Sequence, residues 1–195
     1  MSVEIVRESG DDLLEAINAL VPQLSSSTPP LAAEDLNGLL SQQGTVLFVY
    51  RDEGSGAVLG RKLLGDCFKN RLPQHLKEKF FERYPTLTAS ELIERVYRKP
   101  LPNRFLASFA PFLSENIEES YAYNLVFDSF TEFFERNIAC FDRWDEHETS
   151  FCGSVAYHFA DVLEIAAAEF GIRLGQIVQS PIDNLALYFK KISGE

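Results

Sequence analysis

From Ala57 to Phe141 the apolar residues recur at helical spacing almost without interruption, and this block limits what the chain can become. "AVLGRKLLGDCFKNRL" keeps the period until Pro73, and "PQHLKEKFFERY" continues it as a second helix closed by Pro85. "TASELIERVYRK" is a third, with Thr88 or Ser90 as its N-cap and Glu91 in its first turn. "PLPN" separates it from "RFLASFAPFLSEN", read as one helix. The longest is "EESYAYNLVFDSFTEFFERNIACF", where Phe127, Phe130, Phe134, Ile138 and Phe141 share one face. That stripe belongs to a core, and the sixteen Phe of the chain make that core aromatic.

The block is flanked by segments of different texture. "VEIVRE" alternates as a short strand. "SGDDLLEAINALVPQL" then reads as a helix with Ser9 or Asp11 as cap, and Leu13, Leu14, Ile17, Leu20 and Val21 on one stripe. "SSSTPP" stops it, "LAAEDLNGLLSQQG" is a shorter helix ending at Gly44, and "TVLFVY" is a strand. After that strand the stretch "RDEGSGAVLG" is ambiguous. Its small residues suit a hairpin turn into another strand, or a loop that presents Asp52 and Glu53 and opens a helix. Beyond the block, "TSFCGSV" is a strand entering a Gly-Ser turn and "AYHFADVLEIAAAEFG" a helix. "RLGQIVQSP" holds a strand, and "IDNLALYFKKI" a terminal helix. Strand, helix, strand at this spacing is a βαβ unit.

The expected architecture is α/β. A small mixed sheet of about four strands, near 3–8, 45–50, 149–154 and 175–179, is covered by helices, with 57–141 as a large helical insertion. The 195 residues suit one compact unit. A net charge of -11 excludes a phosphate-backbone binder, which needs clustered cations. The basic residues of Arg61–Arg71 and Arg95–Lys99 are interspersed with acids and read as solvated helix faces. No apolar run reaches the ~18 residues of a membrane span. Without a signal peptide or a disulfide framework (Cys67, Cys140 and Cys152 are the only cysteines), a reducing cytoplasm is the expected compartment.

Few residues suggest chemistry. Gly153 would let a ligand approach the backbone, and the helix that follows offers free N–H groups and a positive dipole end. On the residues alone a plain strand-to-helix turn competes with that reading. Cys140, His147 and Cys152 match no zinc pattern and lack a fourth ligand. Asp142, Asp145, Glu146 and Glu148 read as solvated acids of a polar loop, and His158 as a packed or surface histidine. No catalytic residue and no metal site is assigned.

Taken together, "DEGSGAVLGRKLLGDCFKNRLP", "LIERVYRKPLPNRFLASFAPFL", "FCGSVAYHFADVL" and "GQIVQSPIDNLALY" resemble the C-terminal half of bacterial N-acetylglucosamine kinases and the related BadF/BadG-type ATPases. These belong to the superfamily of actin, hexokinase and the 70-kilodalton heat-shock chaperones. The resemblance implies half of a ribonuclease H-like (actin-like ATPase) domain over residues 52–195. It places Asp52 and Glu53 at a sugar site. It sets Gly153, Ser154, Val155 and Ala156 against ATP or ADP, weakly held, with Mg accompanying the nucleotide. Residues 1–51 are similar to the opening of a GNAT-type N-acetyltransferase: strand, helix, helix, strand, tight turn. That family's pyrophosphate-binding loop is absent after residue 60. The two patterns meet in "RDEGSGAVLG", as in a natural or engineered splice.

The kinase first lobe, with its phosphate-binding hairpin and proton-accepting aspartate, has no counterpart here. The resemblance therefore implies a nucleotide-binding lobe that is not catalytic alone. A homodimer, or a first lobe supplied in trans, would complete it. Alternatives are a ligand-free recombined scaffold and an acetyltransferase-like protein.

Overall fold

The computed structural model describes residues 3–6, 14–15, 32–34, 37, 47–50 and 55–179. Strands β1 (Val3–Val6) and β2 (Leu47–Tyr50) pair antiparallel, Val3 opposite Tyr50 and Val6 opposite Leu47. Both lie within the expected strands. Most of the two helices expected between them, and all of the terminal helix near 182–192, fall outside the described residues.

The ambiguity after β2 resolves as a helix. Ser55–Phe68 forms α1, which buries Gly56, Ala57, Leu59, Gly60, Leu63, Leu64 and Cys67. These positions recur every three to four residues and so face one side. The further strand that an acetyltransferase hairpin requires does not form here. Helices α2 (Gln74–Arg83), α3 (Ala89–Tyr97), α4 (Pro102–Ala107), α5 (Ala110–Glu115) and α6 (Ser120–Asn137) complete the block. Thr88 is the cap of α3, its hydroxyl accepting from the Glu91 N–H at 3.1 Å. The helix expected over 104–116 is broken. Pro111 has no N–H to give the carbonyl of Ala107, and its ring would crowd that oxygen. The chain turns at Ser108–Phe109 instead, and the Ser108 hydroxyl donates to the Phe105 carbonyl at 2.6 Å.

The aromatic stripe is core, as its spacing requires. Phe130, Phe134 and Ile138 are buried together with Ala122, Leu125 and Val126, while Phe127 and Phe141 lie at its margin. A second ring cluster forms around Phe80, which meets Phe112 edge-on at 5.2 Å and Tyr84 at 4.8 Å.

Two glycines let α1 approach its neighbours. A Cβ on Gly60 would lie 1.9 Å from the Leu106 carbonyl oxygen, and one on Gly56 would lie 3.2 Å from the Ala107 Cβ. Helix α4 therefore crosses α1 where α1 has no side chain.

After a short 3₁₀ turn (Trp144–Glu146), β3 (Glu148–Cys152) leads through α7 (Ser154–His158) and α8 (Ala160–Phe170) to β4 (Arg173–Val178). β3 and β4 are parallel, with an irregularity between Thr149 and Phe151. This is the βαβ unit the spacing predicts. The helix expected from 156 is divided at Phe159, whose φ of -115° and ψ of 30° leave the helical region while its ring is buried.

The single four-stranded mixed sheet is corrected. Among the described residues the strands form two separate pairs, β1 with β2 and β3 with β4. Each strand meets its ladder partner inside its own pair, one antiparallel through a long connection and one parallel through the α7–α8 crossover. The result is mixed α/β and mostly helical, with a small parallel sheet. Among the described residues no helix is long and apolar enough to cross a membrane.

Candidate functional site

The turn from β3 into α7 has an unusual backbone. Gly153 has φ 136° and ψ 160°, a conformation that side-chain-bearing residues rarely adopt. Its N–H still donates to the Val178 carbonyl at 2.9 Å, so the turn hangs from the end of β4. Its carbonyl accepts from the Tyr157 N–H at 3.1 Å and starts α7. Space is not what selects glycine, because a Cβ there would meet nothing within 4 Å. The turn is open toward solvent and conformationally demanding.

Ser154, Val155 and Ala156 form the first turn of α7, and no side chain caps them. The N–H groups of a first helical turn have no partner within the helix. Such groups suit anionic or carbonyl oxygens of a ligand. Ser154 is exposed, Val155 half-buried and Ala156 buried. The next exposed residues on this face are Tyr157 and His158, whose rings meet edge-on at 5.6 Å. His158 is thus a surface histidine.

Asp52 and Glu53 lie outside the described residues, but the motif they open reaches the turn. Ser55 and Gly56 begin α1, and a Cβ on Gly56 would sit 3.5 Å from Val155 Cγ2. The fold therefore sets the end of "DEGSG" beside Gly153–Ala156, although the two are about a hundred residues apart in the chain. Spacing alone could not give this. Its one signal was the pair Gly56 and Gly60, one helical turn apart on the buried face of α1.

The remaining chemistry-bearing residues are not brought together. No group of three or more His, Cys, Asp or Glu among the described residues could hold a metal. Cys67 is buried and Cys140 is exposed. Cys152 is exposed as a residue, and desolvation of its sulfur by the surrounding protein pushes the thiol up. Asp142, Asp145, Glu146 and Glu148 are exposed, and Glu146 accepts from the Arg143 Nε at 2.8 Å. These are solvated acids.

The comparison with solved structures gives this geometry a context. The chain matches the crystal structure of a Porphyromonas gingivalis protein described as a "putative N-acetylglucosamine kinase". The TM-score is 0.66 and the identity 43%, over 72% of this chain and 49% of that one. This chain therefore has a sugar-kinase-like fold over most of its length, and it spans about half the length of the structure it matches. No family model matches the sequence, and no curated protein does. The likeness bears on the kinase-like part and adds nothing to the acetyltransferase resemblance of residues 1–51.

Proposed function

We propose that residues 52–195 form the nucleotide-side lobe of a hexosamine-kinase-like protein, and that residues 1–51 join it in one compact unit. In this reading Gly153, Ser154, Val155 and Ala156 hold ATP or ADP, and Asp52 and Glu53 lie at the sugar. The single observation that supports it most is the juxtaposition of Gly56 with Val155. A kinase of this class must present its sugar and its nucleotide to each other, and two motifs remote in sequence meet here in a fold of that type.

The turn suits a nucleotide chemically. Gly153 removes the side chain where a ligand would press on the backbone, and the first-turn N–H groups donate to its oxygens. Bound Mg would supply charge neutralisation on the phosphates. No carboxylate cluster for it is found among the described residues, which do not include Asp52 and Glu53.

Phosphoryl transfer is mostly positioning and charge stabilisation between two closing surfaces. One open turn supplies half of that. We therefore infer weak binding and no efficient turnover by this chain alone. A second copy, or a polypeptide carrying the other lobe, would be needed to close the cleft.

Thermal shift with ATP, ADP and acetyl-CoA tests the reading. Binding to the folded state raises the melting temperature, by an amount that grows with the logarithm of the ligand excess over Kd. ATP and ADP should raise it and acetyl-CoA should not. The reverse result would favour an acetyltransferase-like protein, and no shift with any of them a ligand-free scaffold. Phosphorylation of N-acetylglucosamine by the purified chain at an ordinary enzymatic rate would overturn the inference of an incomplete cleft.

A further inference from the structure

Helix α3 is attached along one edge only. It has no fully buried residue, and Leu92 and Val96 pack only partly against the core. The Arg95 guanidinium lies 5.2 Å from the centre of the Phe105 ring and pins the helix to α4. Elsewhere α3 and the turn after it present large apolar side chains to solvent. Ile93 is 56% exposed and Tyr97, one helical turn on, 81%. Leu101, four residues further, is 65% exposed, and its backbone is left-handed at φ 59°, ψ 48°. A bulky side chain seldom adopts that conformation, which costs roughly 1–3 kcal/mol. Here Pro100 and Pro102 flank it. Arg98 and Arg104 are exposed beside this stretch, and Lys99 is paired with Glu94 at 3.1 Å.

We propose that Ile93, Tyr97 and Leu101, with Arg98 and Arg104, form a docking surface for an acidic segment of another protein carrying apolar anchors. Charge selects this occupant. The chain as a whole carries -11, so this cationic, apolar stretch runs against the sign of the molecule. A second copy docking through the same face would bring arginines against arginines. An anionic bilayer would extend past this stretch and face the acidic remainder of the molecule, whereas a short acidic segment meets only the stretch itself. An exposed tyrosine among arginines is instead the composition from which protein–protein hot spots are built.

The test is a displayed library of random peptides selected on the full chain, with an Ile93→Ser/Tyr97→Ser double variant as the counter-target. The substituted side chains are exposed, and circular dichroism melting checks that the variant still folds. Enriched peptides should carry several acids around spaced apolar residues. A purified winner should lose about tenfold or more in affinity to Tyr97→Ser and to Arg98→Glu, as expected for a hot spot. No enrichment, basic or uncharged winners, or affinities indifferent to both substitutions would overturn the proposal. So would binding to phosphatidylserine vesicles in place of peptides, or a concentration-dependent dimer abolished by Tyr97→Ser.

Discussion

The helical block α1–α6 and the βαβ unit solve opposite problems. The centre of the block is closed: α1 and α6 each bury one face and rings fill the space between helices, with only α3 left at its margin. Among the described residues the βαβ unit buries its core mainly through α8. α8 buries Val162, Leu163, Ala166 and Ala167, yet every residue of β3 and β4 retains some exposure. Parallel strands are usually covered on both faces. The difference teaches where deep burial lies. The aromatic block holds most of the fully buried side chains, and the open turn at Gly153 is carried on strands that keep some exposure.

Phe134 is the most buried of the aromatic residues that join the two. Phe134 of α6 is fully buried and meets Phe151 of β3 at 5.9 Å and Phe170 of α8 at 5.6 Å. Phe134→Ala should give the largest loss, about 3–5 kcal/mol in urea unfolding. If the βαβ unit leans on the block, its amides should also lose more hydrogen-exchange protection than those of α2, which is remote from Phe134. Uniform loss across both would mean that the two regions unfold as one.

Two glycine substitutions sharpen the contrast. At Gly60 the backbone is helical and the space is absent, because an added Cβ would stand 1.9 Å from the Leu106 carbonyl oxygen. Gly60→Ala should cost about 1–3 kcal/mol through displacement of α4, despite the ~1 kcal/mol that alanine gains in a helix. At Gly153 the space is open and the backbone is the obstacle, with φ 136°. Gly153→Ala should cost less, about 1–2 kcal/mol, as strain alone. It should also weaken any ATP or ADP thermal shift, which Gly60→Ala would leave intact in the folded fraction. Equal effects of the two on nucleotide binding would break the separation of scaffold from site.

How much of this could be read in advance follows the same divide. Periodicity revealed the block because each helix buries a face regardless of its neighbours, as the α6 stripe from Phe130 to Ile138 illustrates. Even its irregularities were partly written in the chain. Pro111 marks the break between α4 and α5, whereas nothing in the residues around Phe159 marks the break between α7 and α8. Strand identity was legible, but sheet membership was not. Pairing is a long-range choice, so four strands that could have shared one sheet form two pairs among the described residues. At the site, a glycine between strand and helix identified the turn, while its meeting with Gly56 needed α1 and the βαβ unit to be packed together. Asp52 and Glu53 stand only on resemblance.

The smallest effect concerns how the block is tied at its surface. Lys62 of α1 donates to Glu132 of α6 at 2.7 Å and to the Ser129 hydroxyl at 3.1 Å, and Glu132 also pairs with Arg136 at 2.6 Å. The hydrogen bond from Lys62 is the main reason the Glu132 carboxyl lies below the usual glutamate range. A carboxyl whose folded pKa is lowered stabilises the fold fully above its unfolded value. It loses that contribution as pH falls through the lowered one. Both side chains are more than a third exposed, so screening limits the pair to a few tenths of a kcal/mol. Lys62→Met should therefore melt slightly lower than the parent at neutral pH. The two melting curves should converge as the pH is taken down through the lowered Glu132 range, until its carboxyl is protonated in both. A gap that persists in acid would assign the role of Lys62 to the packing of its aliphatic stem.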